Sequence, residues 1–208
     1  MENNFNEKKT IRWLSMSHFA CDVYTGFLNP IMPFIAAKLG FTMALATVLI
    51  SIAQICSNML QPIFGFFADH TLKRFFIFWG LVLVSIFIPL APAAPSVSIL
   101  TICMILGCLG SSFFHPQSSG FVQRFSQENY SNNMGFFVSM GSLGFAFGPL
   151  LAAYITQYAG LDKIFITSIF GLTLAALMLK CVPKLSNFPN CLKSILQHCA
   201  LMLCKISD

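Results

Sequence analysis

Positions 12–37 read RWLSMSHFACDVYTGFLNPIMPFIAA. The stretch is long enough to cross a bilayer, which takes about 20 predominantly apolar residues. Ser15, His18, Asp22, Thr25 and Asn29 interrupt it at spacings of 3, 4, 3 and 4, so they share one face of a helix. Asp22 lies about ten residues in, roughly 15 Å along the axis and close to a bilayer midplane. A charged Asp at the centre of a spanning helix costs about 2.5–3.5 kcal/mol even on the mildest insertion scale. Such a residue faces a bundle interior or a wet cavity, or it carries a proton. Lys8, Lys9 and Arg12 before an apolar run resemble a signal peptide only superficially. The run holds Asp22 and lacks a small-residue cleavage site, so it reads as a retained first span.

Working outward, the same character holds throughout. Of 208 residues, 56% are hydrophobic and 9% are charged. Soluble domains carry about 25% charged residues, so an ordinary cytosolic enzyme is excluded, as are disordered and disulfide-framed chains. The formal net charge of +5 is scattered between apolar runs and forms no stripe for nucleic acid. The eight cysteines form no CxxC pair and read as small apolar side chains. Spans are expected near 12–37, 41–67, 74–93, 97–121, 133–157 and 163–181. With the N-terminus in the cytoplasm, ten basic residues fall inside: Lys8, Lys9, Arg12, Lys73, Arg74, Arg124, Lys180, Lys184, Lys193 and Lys205. Only Lys38 and Lys163 then fall outside, a bias that puts both termini in the cytoplasm.

Polarity differs between the spans. Ser51, Gln54, Asn58, Gln61 and Gly65 repeat the 3–4 spacing in the second, and Ser111, Ser112 and His115 lie late in the fourth. The fifth is rich in glycine, at Gly135, Gly141, Gly144 and Gly148, while the third and sixth are mostly apolar. The order polar, polar, apolar, then polar, small, apolar fits two inverted three-helix repeats with spans 3 and 6 toward lipid. Residues 1–182 form the spanning unit and 183–208 an amphipathic cytoplasmic tail, the alternative being an unstructured tail.

Each candidate has two readings. Asp22 and His18, one turn apart, can share a proton, or merely tie helices together. Thr25, Asn29, Gln54, Asn58 and His115 can line a polar cavity or serve as interhelical glue. Gly65, Asp69, Lys73 and Arg74 form an ordered loop between spans 2 and 3, or simply hold positive charge inside. Gly144, Gly148 and Pro149 allow close packing and a kink. Neither a Walker loop, a dinucleotide fingerprint, HExxH nor a nucleophile elbow is present, so no enzymatic activity, cofactor or metal is expected.

Gly65 to Arg74 resembles the loop 2–3 signature of the major facilitator superfamily, with His70 at the first basic place and Leu72 in place of the second glycine. Gly144 to Pro149 is similar to its antiporter motif in span 5, with Ala152 and Ala153 replacing later glycines. Phe113 to Ser119, with Ser17-His18-Phe19 and Asp22, resembles the fosmidomycin-resistance type. The resemblance implies half of a twelve-helix transporter in a bacterial inner membrane, exporting small molecules against protons by alternating access. The span 4 arginine of drug–proton antiporters is missing; Cys103 or Leu106 stands near its place. Proton coupling would then rest on Asp22 with His18 or His115, and Asp69 would engage a second half. That half is a partner chain or a second copy, or else the chain is a truncated, non-transporting or accessory fragment.

Overall fold

The computed structural model describes residues 6–70, 74–126 and 129–183. Six α-helices run through them: α1 (Glu7–Leu39), α2 (Met43–His70), α3 (Phe75–Leu90), α4 (Val97–Phe125), α5 (Tyr130–Tyr158) and α6 (Ser168–Cys181). Short 3-10 segments precede α4 at Ala91–Ala93 and α6 at Leu161–Thr167. The described residues contain no strand. Of the expected tail, 183–208, all but Pro183 lies outside the described residues.

α1 starts where Asn6 accepts from the backbone N–H of Lys9, and it stops at Gly40, whose φ of 71° only glycine adopts readily. It is the central helix. α3, α4, α5 and α6 all pack on it, and 17 of its 33 residues are buried. A helix that carries a polar stripe through a bundle needs that cover, because lipid offers its polar groups no partner. α4 lies between α2 and α3, and α3 also meets α6.

Five stretches are long and apolar enough to cross a membrane: Met43–Phe67, Phe75–Ala93, Val97–Phe125, Tyr130–Tyr158 and Leu161–Cys181. α1 has the length, but its polar face keeps it below that apolarity. The last of the five stretches is α-helical only from Ser168, its first turns being 3-10. Burial departs from the simple picture of α3 facing lipid. α3 is half buried between α4 and α6, whereas α2, held by α4 and one edge of α1, is the least buried of the five.

Buried polar groups join the helices at defined points. The hydroxyl of fully buried Tyr24 donates to the Thr167 carbonyl at 2.6 Å and accepts from the Gly171 N–H at 2.9 Å, fixing the start of α6. Gln117 Oε1 accepts from the Ile77 N–H at 2.8 Å, satisfying one of the free amides of the first turn of α3. Ser112 donates to the Ser57 carbonyl at 2.8 Å, linking α4 to α2. At one end of the bundle Lys38 Nζ meets Asp162 Oδ1 at 2.5 Å and the Pro92 carbonyl at 2.9 Å. At the other, Asn133 donates to Glu7 Oε1 at 2.7 Å, joining α5 to α1. Cys21, Cys103 and Cys108 are buried free thiols, as their apolar context implies, but Cys56 is exposed on α2.

Candidate functional site

The tightest helix contact creates the site. α5 presents Gly141, Gly144 and Gly148 to α1. A methyl group at Gly144 would run into the Phe19 carbonyl oxygen, and one at Gly148 into that of Val23. Reciprocally, a Cβ on Gly26 would sit 2.9 Å from the Phe145 carbonyl oxygen. One turn earlier, the space left by Gly141 is filled by His18 and Asp22; a Cβ there would stand 2.7 Å from Asp22 Oδ2. Glycine is used here for close approach, as small residues are in membrane bundles generally.

Three ionisable groups meet at this depth. His18 Nε2 lies 3.2 Å from Asp22 Oδ2, and His115 Nε2, from α4, lies 3.4 Å from Asp22 Oδ1. The two imidazole centroids are 5.2 Å apart. His18 stacks on Phe137 at 4.1 Å, and its Nδ1 is 2.9 Å from the Phe137 carbonyl oxygen. A carbonyl only accepts, so Nδ1 carries hydrogen. The Nε2–Oδ2 contact then needs one further proton, borne either by the imidazole or by the carboxyl group. His115 needs no added proton, because a neutral imidazole with its hydrogen on Nε2 can donate to Asp22 Oδ1. The ligand atoms of the three residues lie within 4.8 Å of one another, a spacing that a single metal ion could also bridge.

The cluster borders an open cleft of ≈ 400 Å³ lined by His18, Gln61, His115, Pro116, Ser119 and Phe137. The Asp22 side chain retains 15% exposure beneath the two imidazoles. Of the sequence candidates, His18, Asp22 and His115 thus come together. Thr25 turns its hydroxyl to the Asp22 carbonyl of its own helix at 3.1 Å. Asn29, Gln54 and Asn58 are exposed rather than part of the cleft wall. Gln61 reaches the cleft while its Nε2 lies 3.5 Å from Asn58 Oδ1. Phe137 was not anticipated; it sits one turn before Gly141 and two before Gly144, which is the signal that could have found it.

The loop candidates divide. A Cβ on Gly65 would meet Pro116 at an ordinary 3.5 Å, so the closest helix approaches lie elsewhere. The side chain of Asp69, and Lys73, lie outside the described residues. Arg74 donates to the carbonyls of Leu179, at 2.7 Å, and Val182, so it caps the C-terminal end of α6. Partial burial draws its guanidinium below its ordinary pKa.

A helical membrane bundle with a cluster of ionisable side chains beside a cleft is the class this geometry defines. The family model described as Major Facilitator Superfamily matches residues 14–190, and the chain belongs to that superfamily. The fosmidomycin resistance protein of Escherichia coli (strain K12) is 28% identical over 158 residues, covering 73% of this chain and 37% of that protein. Multidrug resistance protein 2 of Bacillus subtilis (strain 168) is 26% identical over 180 residues, covering 84% and 44%. A crystal structure of the peptide transporter POT in complex with sulfate superposes with a TM-score of 0.73 at 21% identity, over 96% of this chain and 45% of that one. The chain therefore spans less than half the length of each of these relatives.

Proposed function

We propose that this chain is the N-terminal six-helix half of a secondary transporter that exports small molecules in exchange for protons. In this reading α1 is the first of six spans, the helices form two inverted three-helix repeats, and both termini lie in the cytoplasm of a bacterial inner membrane. Asp22 and His18 bind the coupling proton. His115, Thr25, Asn29, Gln54 and Asn58 serve the substrate path. Gly65, Asp69, Lys73 and Arg74 form the cytoplasmic gate, and Gly144, Gly148 and Pro149 form the antiporter-like element. Two halves rock around the cleft, and a proton moving down the potential supplies about 2.3 kcal/mol per 100 mV.

The observation that carries the reading is the Nε2–Oδ2 contact, which requires a proton because Phe137 holds the Nδ1 hydrogen of His18. A proton held at a cleft is one that can be exchanged. The drug-resistance names of two relatives support efflux as the direction and make fosmidomycin a first substrate to try. The test is drug-dependent proton flux in reconstituted vesicles. Asp22→Asn should abolish the flux while membrane insertion and folding persist; unchanged flux would defeat the assignment.

The second reading is a non-transporting or accessory membrane protein. Transport by this chain needs a second six-helix half or a second copy beside the exposed face of α2. Exposed Cys56 lies on that face and offers a crosslinking handle. Oxidative dimers that vanish in Cys56→Ser, together with drug flux, support assembly. A monomer without flux supports the second reading.

A further inference from the structure

A groove of ≈ 580 Å³ runs between the start of α1 and the later turns of α6, well away from the charged cleft. Its rim carries Lys8, Lys9 and Arg12, all exposed. Its floor is apolar, formed by Trp13 and Met16 from α1 and by leucines of α6 that include Leu177. We propose that this groove is a binding site for an anionic phospholipid. The headgroup sits on the three cations and one acyl chain lies along Trp13 and Leu177.

Three observations point to this occupant. Among the described residues, none of the ion pairs involves Lys8, Lys9 or Arg12. The acid nearest in sequence, Glu7, is engaged from α5 by Asn133 at 2.7 Å. Among the described residues the rim therefore carries uncompensated positive charge. Charge and apolarity are also ordered along the helix axis. The cations occupy the first turns, Trp13 follows at the level where indole rings mark a bilayer interface, and the apolar wall continues inward. A phospholipid has this polarity gradient, whereas a free anion would leave the apolar floor uncovered. Finally, the groove lies between two helices of a membrane bundle, where lipid is the neighbour at highest concentration. Lysine and arginine there hold their charged ends at the headgroup level. The proposal depends on membrane location alone and survives failure of the transport reading.

The test uses the purified full chain in detergent and native mass spectrometry with phosphatidylglycerol or phosphatidylcholine of identical acyl chains. Phosphatidylglycerol should bind at least about tenfold more tightly. Lys8→Gln/Lys9→Gln/Arg12→Gln should weaken it by about fivefold per residue, roughly a hundredfold together. Lys163→Gln, at the opposite end, should leave it unchanged. Leu177→Trp, which fills the floor and keeps every cation, should also weaken it, and millimolar inorganic phosphate should not displace it. Equal retention of the two lipids, or full binding by the triple variant, overturns the proposal. So does an unaffected Leu177→Trp combined with displacement by phosphate, which would mean a simple anion site. A wild-type chain that binds neither lipid overturns it as well, since protein would then fill the groove.

Discussion

Replacing Gly144 by alanine should force α1 and α5 apart. The new methyl group meets the Phe19 carbonyl oxygen, a backbone atom that cannot rotate away. Ordinary contact begins near 3.4 Å, so the helices must separate by about 1 Å at the crossing. Over-packing of this kind costs about 1–3 kcal/mol, and an obstruction made of backbone belongs at the upper end. Alanine returns up to about 1 kcal/mol through its better helix propensity. The net expectation is a loss of about 1–2 kcal/mol. Gly135, on the same helix, is exposed and has nothing within 4 Å of an added Cβ, so Gly135→Ala should gain the propensity term alone.

The assay is unfolding in mixed micelles with increasing dodecyl sulfate, followed by far-ultraviolet circular dichroism. The two variants should shift the midpoint in opposite directions and differ by about 2–3 kcal/mol. Gly141→Ala separates packing from chemistry. Its methyl meets the His18 and Asp22 side chains, which can yield, so stability should fall less than in Gly144→Ala while proton-coupled flux falls more. If Gly144→Ala and Gly135→Ala moved stability equally, the close α1–α5 crossing would be refuted.

Two further outcomes concern the ends of the bundle. Lys38 and Asp162 form an ion pair in which Asp162 is 63% exposed, so a double-mutant cycle should return a coupling below about 1 kcal/mol that shrinks in high salt. Lys38→Met should cost more than Asp162→Asn, because the Lys38 ammonium also donates to the Pro92 carbonyl. Arg74→Gln should release the end of α6 at a cost of about 1–2 kcal/mol, seen as faster hydrogen exchange of the Val182 amide, which bonds to Met178. Arg74→Lys should recover part of that protection, since an ammonium reaches one carbonyl where the guanidinium reaches two.

The helices were legible because long apolar runs bounded by charge, proline and glycine leave few alternatives in lipid. The polar stripe of α1 was legible for a local reason: spacing along one helix places residues on one face whatever surrounds it. Which members of a stripe acquire partners is not local. Thr25 lies on the same face as Asp22 yet bonds to its own backbone, and Gln54 and Asn58 share a stripe with Gln61 yet stay outside the cleft wall. Those outcomes depend on the rotation of α2 and α4 about their axes, which tertiary packing decides. Arg74 shows the limit most clearly. Its motif context suggests a gate, but its observed acceptors stand 105 and 108 residues away at the end of α6. Gly141 was visible as one of several glycines, but nothing in its neighbours' spacing shows that its missing side chain is where His18 and Asp22 fit.

Asp22 alone would not distinguish a transport site from an interhelical tie. A tie works best when its contacts are short, closed to water and carried by helices that stay together. Here the contact with His115 is 3.4 Å, the carboxylate keeps 15% of its exposure, and a cleft adjoins it. The two imidazoles are also held differently. His18 shares α1 with Asp22 and is anchored to Phe137 on α5, the helix packed most closely on α1. His115 stands on α4, whose main supports are α2 and α3. A displacement of α4 relative to α1 would therefore stretch the His115 contact and preserve the His18 contact. In the proposed cycle that asymmetry lets His115 part from the carboxylate at the cleft while the His18 contact and its proton stay with α1. A rigid tie offers no such division, which is why the pair of histidines, more than the carboxylate, supports exchange.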